Sequence, residues 1–117
     1  MIIHKLSEKQ WQAMVMNICH VYGWRVAHFR PSLNQRGRWQ TAVSGDGAGF
    51  PDLVLAHPSG DLIFAELKSE KGVLSPEQKR WAEVLGDRFV LWKPSQFEAV
   101  RERLYKPKKL GAPDSIK

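Results

Sequence analysis

The tripeptide Pro58-Ser59-Gly60 constrains the fold more than any other feature, because the segments flanking it, Phe50 to His57 and Asp61 to Lys68, both read as strands. A connection this short, made of turn-forming residues, predicts an antiparallel hairpin. With a three-residue loop His57 pairs with Asp61, and pairing continued inward sets Asp52 directly opposite Glu66. Directly opposed residues share a face, with β-carbons about 5 Å apart. Glu66 and Lys68 are two apart and project from that same face, while Ala65 and Leu67 between them suit a core. A loop of two or four residues would instead send Asp52 to the other face, so the register decides whether the two carboxylates meet.

Other elements follow from capping and periodicity. Ser7-Glu8-Lys9-Gln10 reads as a capping box, followed by Trp11, Met14, Val15, Ile18, Cys19 and Tyr22 at helical spacing and by Gly23 at the helix end. Trp24 to Phe29 reads as a strand. Arg30 to Gly49, with Pro31, Asn34 and repeated glycines, reads as a long loop, and loops of that length are commonly functional. Ser75-Pro76-Glu77-Gln78 opens a second helix, with proline at its first position, predicted to reach Leu85 and stop at Gly86. Arg88 to Trp92 is a further strand, and Ser95-Gln96-Phe97-Glu98 a third capping box, with a helix to about Tyr105. The expected fold is α/β, a mixed sheet flanked by helices in the order α-β-β-β-α-β-α. Residues 1–105 form one domain of ordinary size and 106–117 a loose basic tail.

Composition bears on partners. The net charge of +6 favours a polyanion, because phosphate contacts release condensed counterions. Between Trp24 and Gly45 lie Arg25, Arg30, Arg36 and Arg38 with no acidic residue, and Arg30, Arg36, Arg38 and Lys71 are expected to grip nucleic-acid phosphates. Trp39, between Arg38 and Gln40, either stacks on an unpaired base or simply packs. Gly45-Asp46-Gly47-Ala48-Gly49 precedes a strand and lacks the lysine of a phosphate-binding loop, so it implies flexibility rather than a nucleotide cofactor. His4, His20, His28 and His57 have no zinc-ligand spacing with one another or with Cys19, which is expected to fill core space. One cysteine, no apolar run of spanning length and no secretory layout at the start lead to the expectation of an intracellular protein without a membrane anchor.

Two opposed carboxylates with an ammonium beside them repel each other unless a cation lies between. Carboxylate and carbonyl oxygens suit Mg²⁺ or Mn²⁺, which shield phosphoryl oxygens and acidify water, and a neighbouring lysine can orient the nucleophile. That combination fits phosphodiester hydrolysis.

Pro51-Asp52 followed by Glu66-Leu67-Lys68 resembles the signature of the PD-(D/E)XK nuclease superfamily. The wider text, Gly49-Phe50-Pro51-Asp52-Leu53, Phe64-Ala65-Glu66-Leu67-Lys68-Ser69-Glu70 and Leu74-Ser75-Pro76-Glu77-Gln78, is similar to the VRR-NUC domain over roughly residues 6–93. The resemblance implies a restriction-endonuclease-like core. It implies that Asp52, Glu66 and the Leu67 carbonyl hold Mg²⁺ or Mn²⁺, that Lys68 is the catalytic lysine, and that Glu8 approaches the metal, directly or through water. Gln78 matches the family's glutamine and Gln12 matches more loosely. Each has a plain alternative: the helix macrodipole favours Glu8, and a capping box wants Gln78. The resemblance further implies cleavage of branched DNA, a four-way junction or flap, to a 5′-phosphate and a 3′-hydroxyl by a homodimer. The rival readings are a non-catalytic DNA-binding module and a nuclease subunit that needs a partner.

Overall fold

The computed structural model describes residues 2–29, 31–33, 39–41 and 45–109. After a 3₁₀ turn at Ile3–Lys5, the chain forms α1 (Glu8–Val21), β1 (Arg25–His28), β2 (Pro31–Leu33), β3 (Trp39–Thr41), β4 (Leu53–Ala56), β5 (Leu62–Leu67), α2 (Pro76–Leu85), β6 (Phe89–Trp92) and α3 (Phe97–Tyr105). The first two helices start where their sequences say they should. Ser7 Oγ accepts the Gln10 N–H and Gln10 Oε1 accepts the Ser7 N–H, and Ser75 and Gln78 repeat the exchange at α2. Each box satisfies two helix-end groups that would otherwise lack partners.

The main sheet runs β1-β4-β5-β6. β1–β4 and β4–β5 are antiparallel, while β5–β6 is parallel and requires the crossover that α2 provides. In the hairpin Leu53 pairs with Ala65 and Ala56 with Leu62, and the His57 N–H donates to the Asp61 carbonyl, so the three-residue loop holds. Ile63, Ala65 and Leu67 join Leu53 and Leu55 in a core completed by Trp11, Val15 and Cys19 of α1 and Val100 and Leu104 of α3. The Trp11 indole N–H donates to the Trp92 carbonyl at 3.0 Å, tying α1 to the end of β6. On the alternate side of β5, Phe64 meets Phe50, which also packs edge-on against Phe29 and against Trp81 of α2.

Four expectations change. The stretch from Arg30 to Gly49 contains a small antiparallel pair, β2–β3; three-residue strands are too short to show an alternating pattern. The run Gly45–Gly49 is anchored rather than loose, since Trp81 Nε1 donates to the carbonyls of Asp46 and Ala48. The third capping box does not form: Ser95 sits within a 3₁₀ turn, Pro94–Gln96, its N–H donates to Glu70 Oε2, and α3 begins at Phe97 with no side-chain cap. The tail begins docked, with the Lys108 N–H on Asp61 Oδ2 at 2.7 Å and the Lys108 carbonyl accepting from Ser59 Oγ. Asp61 is buried and also takes both guanidinium nitrogens of Arg103, so one carboxylate clamps the hairpin turn, α3 and the tail together.

Candidate metal centre

Past Leu53 the chain bends at Asp52 and leaves the sheet, and Gly49 explains how it does so. Gly49 has φ +76°, and a β-carbon there would lie 2.6 Å from the Glu77 carbonyl carbon and 2.7 Å from the Gln78 nitrogen. Only glycine allows the segment to rest this closely on the first turn of α2. Pro51 is buried, and the Asp52 carboxylate turns back onto the hairpin, where Oδ2 accepts the Leu67 N–H at 3.2 Å.

Glu66 lies across from Asp52, as the register requires, and is 1 % exposed. Its Oε1 has no hydrogen-bond partner among the described residues, and Oε2 is 3.9 Å from the Lys68 ammonium. Burial pushes the Glu66 carboxyl up to about 9, reinforced by Asp52 and by Glu8 and opposed by Lys68. A carboxylate so placed is costly unless a positive charge joins it. Glu8, in the first turn of α1, supplies a third acid: one oxygen each of Glu8, Asp52 and Glu66 lie within 4.8 Å of one another. Partial burial and then the Asp52 charge raise the Glu8 carboxyl above its ordinary value, again opposed by Lys68.

The arrangement fits a divalent cation. Bonds of about 2.1 Å put opposite ligands of one Mg²⁺ about 4.2 Å apart, so the three oxygens need close by only a few tenths of an ångström to share an ion. The unpartnered Oε1 of Glu66 is the kind of buried acceptor that such an ion satisfies.

The structure thus brings together Asp52, Glu66, Glu8 and Lys68. Leu67 is present through its backbone, its N–H bonded to Asp52. Gln78 serves the start of α2 instead, where its side-chain oxygen accepts from Ser75. Gln12 is half-buried one turn along α1 from Glu8. Lys71 is exposed on a groove of about 610 Å³ shared with His4, Lys5, Leu6, Ser69 and Glu70. His4 and Lys5 escaped the sequence reading, which looked for basic clusters and had no means of joining the N-terminus to the turn after β5. Gly49 and Gly72 also escaped it as site-building residues. A β-carbon on Gly72 would sit 2.9 Å from Lys68 Cβ, so this glycine leaves the space in which the lysine stem lies. Arg30, Arg36 and Arg38 lie outside the described residues, as does the side chain of Trp39. Among the described residues, no helix is long and apolar enough to cross a membrane.

A comparison with protein-family models matches residues 18–101 to the family described as VRR-NUC domain. Glu8 and Gln12 precede the matched span, so Glu8 enters the site on geometry alone. No curated protein and no solved structure matches the chain.

Proposed function

Because the chain belongs to the VRR-NUC domain family, a nuclease family with a restriction-endonuclease-like fold, we propose that it is a Mg²⁺- or Mn²⁺-dependent deoxyribonuclease that cuts branched DNA such as a four-way junction or flap. The observation that carries the reading is a buried glutamate, Glu66, with an unpartnered oxygen facing two further carboxylates and a lysine. Asp52, Glu66 and the Leu67 carbonyl would hold the ion, with Glu8 beside it. The ion supplies positive charge for the phosphate and lowers the pKa of the attacking water.

The remaining roles belong to this chain's own groups. Lys68 projects from the same face as Glu66 and donates hydrogen bonds that orient the water and a non-bridging phosphate oxygen. Water attacks phosphorus in line and the 3′-oxygen leaves, giving a 5′-phosphate and, after protonation, a 3′-hydroxyl. Gln78 acts at one remove, by holding the helix start on which Gly49 rests. Lys71 with His4 and Lys5, together with Arg30, Arg36 and Arg38, meets phosphates flanking the scissile one, and Trp39 stacks on an unpaired base. Two copies would grip the arms of a junction that a single small domain cannot span.

The test is cleavage of labelled linear, flapped, single-stranded and four-way DNAs with Mg²⁺ and Mn²⁺ by wild type and Glu66→Ala. Wild type should cut branched DNA, and the variant should lose cutting while keeping low-salt binding. Wild type that binds DNA yet never cuts with either ion would reduce the protein to a binding module.

A further inference from the structure

The β4–β5 register, carried past the Leu53–Ala65 pair, sets Asp52 across from Glu66 and Pro51 across from Leu67. In an extended strand the N–H and C=O of one residue point to the same edge, and successive residues alternate between edges. Two bonds establish the alternation here. The Lys68 N–H donates to the Trp92 carbonyl, toward β6. The Leu67 N–H therefore points toward β4, where it meets Asp52 Oδ2. The Leu67 carbonyl shares that edge. In an unbroken ladder it would accept the N–H of residue 51, but residue 51 is proline and has none. The backbone of Asp52 cannot substitute, because it is turned to the other side, with its carbonyl accepting the Phe29 N–H at 2.9 Å.

We propose that Pro51 is a positioning residue: by withholding a backbone donor at this register position it keeps the Leu67 carbonyl free to serve as an oxygen ligand beside Asp52 and Glu66. This rests on the metal-dependent reading above and adds a reason for proline at position 51. The ladder is closed on its donor side by the Asp52 side chain and left open on its acceptor side. A buried carbonyl without a donor is unfavourable, and a hard cation relieves that cost. Any other residue at 51 carries an N–H that competes with the ion for the same oxygen.

Two full-length variants separate the donor from the ring. Pro51→Ala supplies an N–H; Pro51→lactic acid, introduced by nonsense suppression, has the same methyl side chain but an ester oxygen in place of the N–H. Calorimetric Mn²⁺ titration should show Pro51→Ala weakened about tenfold, the size of effect typical when the support of a metal ligand changes, and the ester variant restored to wild-type affinity. In the metal-free protein, NMR should detect a coupling through the hydrogen bond from the nitrogen of residue 51 to the carbonyl carbon of Leu67 in Pro51→Ala. Equal Mn²⁺ affinity in wild type and both variants, without that coupling, would overturn the proposal. So would equal weakening in both, or the failure of both to fold, since either assigns the effect to ring rigidity. A wild type whose Mn²⁺ binding is indifferent to Asp52→Ala would sink the nuclease reading instead, and the metal-free coupling would still report on Pro51.

Discussion

Replacing Gly49 by alanine should damage the protein in two separable ways. At φ +76° a residue with a β-carbon pays a backbone penalty of about 1 kcal/mol. The added methyl would also lie 2.6 Å from the Glu77 carbonyl carbon and 2.7 Å from the Gln78 nitrogen, both backbone atoms of α2 that cannot rotate away. Carbon contacts settle at about 3.5–4.0 Å, so the segment must lift by roughly an ångström, and overpacking of this kind costs about 2 kcal/mol. The sum, about 3 kcal/mol, is a large part of the stability of a small domain. Gly45 supplies the control: its φ is +71°, yet nothing lies within 4 Å of the place a β-carbon would take, so Gly45→Ala should show the backbone penalty alone. In urea unfolding with a slope of about 1.5 kcal/mol per molar, the midpoint should fall by about 2 M for Gly49→Ala and under about 1 M for Gly45→Ala. Because Asp52 hangs from the lifted segment, Mn²⁺ affinity should fall with Gly49→Ala and not with Gly45→Ala. Equal midpoint losses in the two variants would refute the close approach of Gly49 to α2.

Three further outcomes follow from other parts of the molecule. Asp61→Asn should cost about 3 kcal/mol at pH 7 by leaving Arg103 without its carboxylate. Burial alone would raise the Asp61 carboxyl, but the Arg103 and backbone hydrogen bonds outweigh it and hold it below its ordinary 3.8. The folded protein therefore binds fewer protons than the unfolded one in acid, so the stabilisation is complete above about pH 4 and fades as the pH falls through the folded value. Urea unfolding at pH 7 and pH 3 should show the variant's deficit shrinking in acid, and a deficit that is constant with pH would refute the assignment. Saturating Mn²⁺, at about a hundred times its dissociation constant, should add about 2.7 kcal/mol, raising the melting temperature by roughly 10 °C; the same shift in Asp52→Asn would place the ion elsewhere. Gly72→Ala puts a methyl 2.9 Å from Lys68 Cβ and 3.2 Å from Cδ, at a backbone conformation that alanine tolerates. Single-turnover cleavage should slow by about tenfold through a displaced ammonium, while the Mn²⁺-induced melting shift stays as in wild type.

Features decided within a few residues of chain were legible in the sequence. Ser7 with Gln10 and Ser75 with Gln78 define helix starts through bonds that span three residues, and both form as expected. The register that opposes Asp52 to Glu66 follows from the length of one turn, because hairpin pairing propagates from its loop. Ser95 shows the limit of such local rules: the same kind of cue failed there because its N–H is drawn to Glu70, which lies far from it in sequence. Packing decided the rest. That Glu66 is buried, that Glu8 reaches it from α1, that Gly49 rests on α2 and that Lys108 closes over Asp61 all depend on elements distant in sequence coming into contact. Periodicity describes which face of an element is apolar, but it carries no information on which other element will cover that face. Only the assembled layers determine how far a charge is removed from water, and thus which carboxylate is left needing a cation.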